Sequence, residues 1–529
     1  MPNGCTPSDG HSLRRRFWIC LSDIDSPADL SIIGTWLAGF GQPIRLLQTY
    51  KGMTIVSEMS YDVVIVGAGP AGIFAALELS QEPGLRVAIF DKGPDIDRRV
   101  CLARGPEGKC HNCQPCAIMT GWGGAGAFSD GKLTLSPAVG GHLAEILGEE
   151  RAAELCRQVD ETYLHFGAPD RVYGTRNDEI EALEKRSALA GLRFVSVPIR
   201  HMGTEHCAEI MRGMRDELLA RGVTIRTRTP IARILVQGGR VSGVELESGE
   251  RIDAGAVIVA PGREGAAWLK EMARELGLSV ARNPVDLGVR VELPATVLEP
   301  ITRLVYESKF IYYSRAFDDQ VRTFCMCPYG EVSVEYAGNV MTVNGHSFHD
   351  RRTSNTNFAI LVSKNFTEPF DDPIAYGTSI AQLANLLSGG IMVQRLGDLE
   401  SGRRTNAERL ARSVVTPTLK SATPGDLNLV LPYRHVVNIL EFIHALDQVA
   451  PGVASRHTLL YGVEAKFYSS RPHLTPDLET EVQNLYACGD GAGVTRGLVQ
   501  ASASGIVAAR AIRQRLAAPE TVRREQGSE

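Results

Sequence analysis

The spacing of apolar and polar residues predicts a βαβ unit near the start of the chain. The segment "YDVVIVGAG" from residue 61 is an apolar run that ends in glycines, "PAGIFAALELSQ" has apolar residues at helical spacing, and "RVAIF" is a second apolar run. Runs of this kind, joined by a glycine-rich turn, predict a strand, a helix and a second strand. The whole unit spans about 30 residues, the usual size of a βαβ unit.

The pattern changes again further along the chain. Helical spacing dominates residues 141–191 and 205–221, and short apolar runs predict strands near 223–227, 231–236, 240–247 and 256–260. From about Asp286, runs such as "FIYYSRAF", "NVMTVNGHSF" and "NFAILVSKNF" predict antiparallel strands, with helices near 371–388 and 433–448. Residues 484–513 return to a strand, a glycine-rich turn and a helix.

These elements predict an α/β fold in which a Rossmann-like dinucleotide-binding domain is assembled from discontinuous segments. We assign residues 60–136, 200–280 and 476–515 to that domain, and residues 281–475 to an inserted mixed α+β substrate domain with an antiparallel sheet. Residues 137–199 form a helical segment and 516–529 a polar tail. Residues 1–57 lack strong periodicity, and Met53 and Met59 lie just before the first predicted strand. We interpret these residues as the result of an upstream start codon chosen in error, with a genuine N-terminal extension as the alternative.

Composition places the chain among soluble globular proteins. Of its 529 residues, 44% are hydrophobic and 22% are charged, and the formal net charge of −5 disfavours nucleic acid as the main partner. No stretch approaches the roughly 20 apolar residues that a membrane span needs. A short basic and apolar stretch near the N-terminus is soon followed by acidic residues, which argues against a signal peptide. We therefore interpret the protein as cytoplasmic.

The first glycine motif has the context of a dinucleotide site. Gly67, Gly69 and Gly72 form G-x-G-x-x-G between a predicted strand and helix, and Asp91 ends the second strand 19 residues later. Glycines at these positions permit a tight turn, close approach of a pyrophosphate and helix–strand packing, while the acidic residue accepts hydrogen bonds from ribose hydroxyls. The predicted cofactor contacts here are Gly67, Gly69, Pro70, Ala71, Gly72, Asp91 and Lys92.

Two later segments favour FAD over NAD. In "LYACGDGAGVTRG", Gly489 and Asp490 follow a predicted strand and precede a helix, so the carboxylate can bind ribityl hydroxyls and the helix N-terminus can stabilise negative charge on reduced flavin. The strand and turn "GAVIVAPGREG" adds Gly262, and Arg496 lies within the last motif. No second strand-linked G-x-G-x-x-G occurs, so a separate NAD(P)H domain is not evident and the external donor stays open.

The order of the three pieces resembles the glutathione-reductase-like FAD superfamily. A closer resemblance rests on "GWGGAGAFSDGKLTLSP", "DLGVRVE", "RTFCMCPYGEV", "VNGHS", "QRLGD", "PTLKSATPGDL" and "GDGAGVTRGL". These segments are similar to the family described as uncharacterised FAD-dependent dehydrogenases or NAD(P)/FAD-dependent oxidoreductases, over about residues 60–515. The resemblance implies a Rossmann-like FAD-binding domain and FAD as the cofactor, and it implies little about the substrate. Noncovalent attachment of the FAD is the default expectation.

The loop at 121–132 supplies further candidates. Gly123, Gly124 and Gly126 leave backbone N–H groups unshielded, which suits contact with phosphate or flavin. Lys132 can stabilise anionic flavin or bind substrate, with a carboxylate-paired structural lysine as the alternative. His346 in "VNGHS" is a candidate for general acid–base chemistry because the pKa of histidine lies near neutrality, and a structural histidine is the alternative.

Cysteines form the most specific metal-like pattern. Cys110, Cys113 and Cys116 have C-x-x-C-x-x-C spacing, and Cys101 precedes them by nine residues. Such spacing can bring thiolates to one [4Fe-4S] cluster, and zinc, redox thiols and structural cysteines are the alternatives. Nearby Arg98 and Arg99 would stabilise thiolates or a cluster. Cys325 and Cys327, two apart on a predicted strand, are interpreted mainly as small buried residues on one sheet face, with a thiol pair near the flavin as the alternative.

The predicted function is that of an oxidoreductase of the dehydrogenase or reductase type. It would transfer hydride or electrons between FAD and a small organic substrate. A flavin monooxygenase is one alternative, although the third motif reads "GDGAG" where aromatic hydroxylases usually show "GDAAH". A flavin and iron–sulfur electron-transfer or redox-sensing protein, with a protein partner, is the other.

Overall fold

The fold is described from a computed structural model of the chain. The described residues are 47–50, 53–56, 60–101, 113–129, 131–281, 285–337, 340–347, 351–364, 372–467 and 471–517. Residues 1–57 form a unit of their own, in which β1 (Leu47–Tyr50) and β2 (Met53–Val56) make an antiparallel hairpin. Everything below concerns the second unit, residues 58–529.

Strands of the second unit are numbered on from the hairpin. They are β3 (Ser60–Val66), β4 (Val87–Phe90), β5 (Lys132–Thr134), β6 (Val172–Tyr173), β7 (Arg193–Val195), β8 (Ile199–His201), β9 (Thr224–Arg226), β10 (Ile231–Gln237), β11 (Arg240–Leu246), β12 (Arg251–Val259), β13 (Val280–Ala281), β14 (Val285–Pro294), β15 (Lys309–Tyr313), β16 (Gln320–Cys327), β17 (Glu331–Ala337), β18 (Val340–His346), β19 (Asn355–Lys364), β20 (Met392–Arg395), β21 (Thr423–Pro424), β22 (Leu459–Phe467), β23 (Arg471–Pro472) and β24 (Leu485–Ala487).

The described helices include the predicted ones, and the sequence analysis did not predict those at 266–275, 295–302, 396–400 and 407–411. They are α1 (Pro70–Leu79), α2 (Leu143–Leu147), α3 (Glu149–His165), α4 (Asp178–Leu189), α5 (Thr204–Ala220), α6 (Ala266–Glu275), α7 (Ala295–Thr302), α8 (Pro373–Ser388), α9 (Leu396–Glu400), α10 (Ala407–Ala411), α11 (Tyr433–Asp447) and α12 (Leu498–Ala517).

A seven-stranded sheet carries the predicted dinucleotide-binding pieces. Its order is β10-β11-β12-β3-β4-β9, and β24 pairs with β12 in parallel. The strands β12, β3, β4 and β9 are parallel, so their carboxyl ends meet at one edge. The helix α1 is buried along nearly its whole length, and Gly505 of α12 packs against the backbone of Ala71. This is the mixed α/β architecture expected of a Rossmann-like FAD domain.

A second sheet of eight strands is mostly antiparallel, in the order β21-β20-β22-β14-β19-β16-β15-β7. Its central strand β14 is buried on both faces, and the two faces differ. Leu287, Val289 and Val291 point into an apolar core that α7, α8 and α11 share. Since strand side chains alternate, Asp286, Gly288, Arg290 and Glu292 lie on the opposite face, which is also buried. A buried face with this many charges requires a paired network.

Smaller sheets complete the description. A hairpin of β17 and β18 lies near β16, β19 and β22, and a three-stranded sheet has the order β5-β8-β6. Strand β7, from the predicted helical segment, joins the eight-stranded sheet through β15. None of the helices in the described ranges has both the length and the apolar character that crossing a membrane requires.

Candidate functional site

The first glycine motif forms a tight turn at the carboxyl end of β3. Gly67 has φ +107°, and a Cβ on it would overlap the carbonyl of Ala260 at the end of β12. A Cβ on Gly72 would overlap the carbonyl of Gly67, so two of the three glycines are required by packing. Among the described residues beyond the backbone of this turn and its helix, the nearest atom to a Cβ on Gly69 is the Cα of Gly124, at 3.9 Å. The space at Gly69, before the N-terminus of α1, is therefore open to a ligand.

Asp91 ties the first motif to the next loop. Its carboxylate accepts hydrogen bonds from the backbone N–H groups of Ala68 (2.9 Å), Gly93 (2.7 Å) and Gly121 (2.8 Å). These three bonds make Asp91 a structural organiser of the site, a role that the sequence analysis did not assign. The neighbouring Lys92 forms an ion pair with Glu264.

A cavity of about 440 Å³ lies beyond Asp91, next to the carboxyl ends of β4 and β9. It is lined by charged and polar residues: Asp95, Asp97, Arg98, Arg215, Thr227 and Arg228.

Glycines of the loop 121–128 let this loop pack against the N-terminal ends of α1 and α12. A Cβ on Gly126 would lie 2.6 Å from Leu498 at the start of α12, and one on Gly124 would lie 2.9 Å from the Cα of Gly69. Gly123 is in the left-handed region and lies against Ala127 and Met211. Close packing thus explains Gly123, Gly124 and Gly126.

Two buried side chains hold the same loop in place. The indole of Trp122 donates to the carbonyl of Met211 at 2.6 Å. The guanidinium of Arg99 donates to the carbonyls of Ala117 (2.9 Å), Ile118 (2.7 Å) and Trp122 (2.6 Å). Arg99 therefore orders the backbone that joins the cysteine loop to the glycine loop, in addition to any effect on thiolates.

The turn that follows β12 and the turn that follows β24 meet at Gly262 and Gly491. A Cβ on Gly491 would overlap the backbone of Gly262, which has φ +64° and is itself open on its own Cβ side. The carboxylate of Asp490 accepts from the hydroxyl of Thr495 (2.9 Å) and from the N–H of Gly497 (3.2 Å). Burial raises the pKa of Asp490, and the positive charges of Arg263 and Arg496 partly offset that effect.

The two proton-chemistry candidates lie on different elements. The ammonium of Lys132 donates to the carbonyl of Met326 (2.8 Å), lies 3.2 Å from a carboxylate oxygen of Glu307, and sits 5.5 Å from the ring centre of Tyr306. Lys132 is thus paired with a carboxylate. His346 ends β18, opposite Glu331 of β17.

Three contacts join the glycine-motif side to the eight-stranded sheet and its hairpin. Lys132 reaches the backbone of β16 at Met326, as described above. The guanidinium of Arg496 lies 6.0 Å from the ring centre of Phe324, also in β16. Arg263, next to Gly262, pairs with Glu335 of β17 at 3.5 Å. The parts predicted to bind a dinucleotide therefore face one patch of the second sheet.

Comparison with known families agrees with this arrangement. Residues 131–355 match the family model "FAD dependent oxidoreductase", and 284–467 match "FAD-dependent protein, C-terminal domain-like". Shorter matches cover 45–96 ("Thi4 family") and 420–520 ("Glucose inhibited division protein A"). The protein is an FAD-dependent oxidoreductase.

Relatives of this FAD-dependent oxidoreductase include an uncharacterized protein from Clostridium beijerinckii. The two are 26% identical over 506 residues, which cover 90% of this chain and 85% of the relative. Among solved structures, pyridoxine 4-oxidase from Mesorbium loti is 14% identical over 86% of this chain and 99% of that one, with a TM-score of 0.41. L-proline dehydrogenase from P. horikoshii is 12% identical over 86% and 94%, with a TM-score of 0.37.

The residues of this oxidoreductase fit a bound FAD. The open side of Gly69 at a helix N-terminus suits a diphosphate, and the open side of Gly262 borders the same region. Asp490 is a half-buried carboxylate that accepts hydrogen bonds from Thr495 and Gly497, while a carboxylate offers about four lone-pair positions. The donor and acceptor set therefore leaves acceptor capacity for hydroxyl groups of a cofactor.

The cysteine loop is only partly described. Cys101 and Cys116 are half-buried, Cys113 is exposed, and Cys110 lies outside the described residues. Among the residues that the structure describes, no three His, Cys, Asp or Glu side chains come together as a metal site. Convergence of all four cysteines stays a prediction. Outside this loop, Cys156, Cys207 and Cys488 are buried in the core.

Sequence reasoning missed a buried charge network on the polar face of the second sheet. Arg290 donates to Glu464 at 2.9 Å, and both side chains are 0% exposed. Lys466 lies 3.1 Å from Glu464 and 3.2 Å from Glu335. Burial alone would raise the pKa of Glu335, but the charges of Lys466 and Arg263 outweigh it and lower the pKa to about 2. The period-two charges in "DLGVRVE" were the available signal for this network.

Sequence reasoning also treated Cys325 and Cys327 mainly as equivalent buried residues, and the structure differs. The register between β16 and β19 shifts between Phe324 and Cys327, and Cys325 has φ +47°. Strand alternation therefore breaks at this point. Cys327 is buried, whereas Cys325 is half-buried.

Proposed function

We propose that this oxidoreductase holds FAD noncovalently through its three glycine segments and exchanges hydride or electrons with a small organic substrate. The single observation that supports this most is the convergence of Lys132, Arg263 and Arg496 on one patch around β16 and β17. Ligand sites often form between such parts of a protein. Residues 281–475 would then act as the substrate domain.

Each segment has a proposed task toward FAD. The turn Gly67–Gly72 and the N-terminus of α1 would take the diphosphate, with Pro70 and Ala71 starting that helix. Asp91 would accept from the ribose, using the acceptor capacity that its three backbone bonds leave. The cavity next to β4 and β9 is on the side toward which the adenosine would extend.

The other end of the cofactor would lie near Gly262, Gly489 and Asp490. Asp490 would accept hydrogen bonds from ribityl hydroxyls, and Arg496 would contribute positive charge beside it. When bound, FAD supplies two-electron redox chemistry that amino-acid side chains lack. Glu307 and a backbone carbonyl hold the ammonium of Lys132 in a fixed position. From that position Lys132 would orient or stabilise an anionic group. His346 remains the proposed proton-transfer group.

The experiment that tests this proposal is spectroscopic. The purified protein is expected to show a flavin absorption spectrum or to acquire one when FAD is added, and acid should release the flavin into the supernatant. A protein that stays colourless in the presence of FAD would contradict the cofactor assignment. Flavin that stays with the acid precipitate would contradict noncovalent attachment only. Reduction by NADH or NADPH, followed at the flavin band, then identifies the external donor.

We also infer that the cysteine loop holds a metal, with an iron–sulfur cluster first and zinc second. The support is the spacing of Cys110, Cys113 and Cys116 with Cys101 as a fourth ligand. Anaerobic purification from iron-replete cells, followed by iron, sulfide and zinc analysis, is the test. Cys113→Ser is expected to remove the metal and keep FAD. Absence of all metals from the unmodified protein would reject the inference, and loss of FAD with the metal would give the loop a structural role.

A further inference from the structure

The structure places two cysteine thiols together at the bulge of β16. The thiol of Cys327 donates to the backbone carbonyl of Cys325 at 3.5 Å, so its side chain lies against the neighbouring cysteine. Cys325 has a positive φ, +47°, which residues with a Cβ rarely adopt and which costs free energy. Backbone outliers of this kind occur preferentially at functional sites.

Positive groups hold the backbone on both sides of this bulge. The ammonium of Lys132 donates to the carbonyl of Met326, the residue between the two cysteines, at 2.8 Å. The guanidinium of Arg290 donates to the carbonyl of Cys325 through both terminal nitrogens, at 3.1 and 3.2 Å. The N–H of Cys325 is bound by Glu307 at 2.9 Å. Every backbone polar group named here is satisfied, so the bulge is a defined conformation.

The two thiols have different acidities. The hydrogen bond from Cys327, helped by the charges of Lys132 and Arg290 and opposed by burial, lowers the pKa of Cys325 to about 7. The same hydrogen bond and burial raise the pKa of Cys327 well above its usual value. One thiol is therefore suited to attack as a thiolate, and its neighbour stays protonated until a later step.

The bulge lies on the side of the sheet that faces the glycine segments. Lys132 lies in β5, which follows the glycine loop, and Arg496 of the last motif contacts Phe324, the residue before Cys325. By contrast, Cys156 and Cys488 are in the apolar core, where burial raises the pKa of each thiol. Among the described cysteines, Cys325 combines partial exposure with a lowered pKa.

We propose that Cys325 and Cys327 form a redox-active pair that reduces a small-molecule disulfide. The Cys325 thiolate attacks one sulfur of R–S–S–R, the S–S bond breaks, and the released thiolate takes a proton from solvent. Cys327 then loses its proton and attacks the Sγ of Cys325, which forms the intramolecular disulfide and releases the second thiol. One disulfide gains two electrons and two protons overall, and the pair loses the same number.

This proposal goes beyond the proposed function, because the thiol exchange itself needs no flavin. The position of the pair beside the flavin segments gives the two redox centres a common location. The charged groups that act on the pair come from several elements: Lys132 from β5, Arg290 from β14, Lys466 from β22 and Glu307 from the segment before β15. Glu335 of β17 and Glu464 of β22 in turn pair with Lys466.

The first experiment uses the protein as purified, reduced and freed of reductant under anaerobic conditions. Glutathione disulfide is added as the probe, the reaction is quenched with acid, and free thiols are alkylated after unfolding. The tryptic peptide that follows Arg322 is expected to carry two labels before oxidation and none after it. The core thiols Cys156, Cys207 and Cys488 should keep their labels. The glutathione disulfide is used at a concentration that oxidises dithiothreitol. If the peptide keeps both labels at that concentration, the proposal is overturned.

Two single variants test the order of the steps. With Cys327→Ser, Cys325 is expected to accumulate a mixed disulfide that retains half of the probe, and with Cys325→Ser no adduct should form. If Cys327 carries the adduct in the second variant, the assignment of the attacking thiol is wrong. These readouts are masses, so they do not depend on whether FAD is bound.

A pH profile separates this role from a merely structural one. The rate of alkylation of Cys325 by iodoacetamide is measured against pH, and its midpoint is expected near 7 in the unmodified protein. The Cys327→Ala variant lacks the neighbouring thiol, so its midpoint should be higher. Lys132→Gln should raise the midpoint by about one pH unit, since it removes a nearby positive charge. A midpoint near 8.5, the ordinary value for cysteine, in the unmodified protein would contradict the proposal.

Discussion

The buried pair of Arg290 and Glu464 makes a strong prediction about stability. Glu464→Gln keeps the size and shape of the side chain and removes its charge. Lys466 then keeps its ion pair with Glu335, whereas Arg290 loses the carboxylate with which it is paired. Since Arg290 and Glu464 are fully buried, water cannot screen the positive charge that is left over.

The size of the effect follows from the contacts that survive. Breaking a buried ion pair by removing one partner typically costs about 3–5 kcal/mol. Arg290 keeps its hydrogen bonds to Asn357 (3.1 Å) and to the carbonyl of Cys325, so part of its hydrogen-bonding is preserved. We therefore expect a loss near the lower end, about 3 kcal/mol in the free energy of unfolding.

Urea unfolding followed by circular dichroism measures this loss. The matched control is Glu271→Gln, which makes the same chemical change in the exposed ion pair with Arg274 and should leave the midpoint unchanged. If Glu464→Gln and Glu271→Gln give equal midpoints, the reasoning about burial is wrong. A further variant, Glu464→Gln with Lys466→Met, removes one charge of each sign. It should lose less stability than the sum of the two single changes.

Three other predictions concern the cofactor site and pH. Gly67→Ala should abolish FAD binding, measured by fluorescence titration, because the new Cβ would overlap the backbone of Ala260. The control is Gly84→Ala, which should bind FAD normally: Gly84 also has a positive φ, but no described neighbour lies within 4 Å of its Cβ position. Asp490→Asn should weaken FAD binding about tenfold through loss of a charged acceptor, and the same change at the exposed N-cap Asp372 should have no effect. The pKa of Glu335 in the folded state is lowered to about 2, so its carboxylate stabilises the fold at neutral pH. This contribution is lost as the pH falls from about 5 toward 2. Glu335→Gln should therefore flatten that part of the profile of stability against pH, measured by thermal unfolding.

Local features of the chain were predictable because their physics is local. The turn at Gly67 needs a positive φ and a missing Cβ, and both requirements appear in the residue type itself. Likewise, the short apolar run before Gly489 predicts a buried strand, and the structure buries Leu485, Tyr486 and Ala487 there. Periodicity also located the helices α5, α8 and α11 to within a few residues, because an amphipathic stripe shows directly in the residue order.

Some contacts depended on how distant segments meet. Asp91 was assigned to a ribose, and only the folded chain shows it binding the N–H groups of Ala68, Gly93 and Gly121. Lys132 was a candidate for flavin or substrate contact, and its partners Glu307 and Met326 are more than 170 positions away in the sequence. Such partners have no signature at the position of the residue itself.

By itself, the sequence determined the glycine turns, FAD as the cofactor and most helices and strands, since these follow from glycine spacing and from periods of two and 3.6 residues. Tertiary structure decided the charge pairing and the state of the cysteines. Arg290 and Glu464 lie on strands joined only by sheet pairing, so neither charge reveals its partner in sequence. The bulge at Cys325 likewise depends on the register with β19. Strand alternation predicts two equivalent cysteines, whereas the register shift leaves Cys327 buried and Cys325 half-buried.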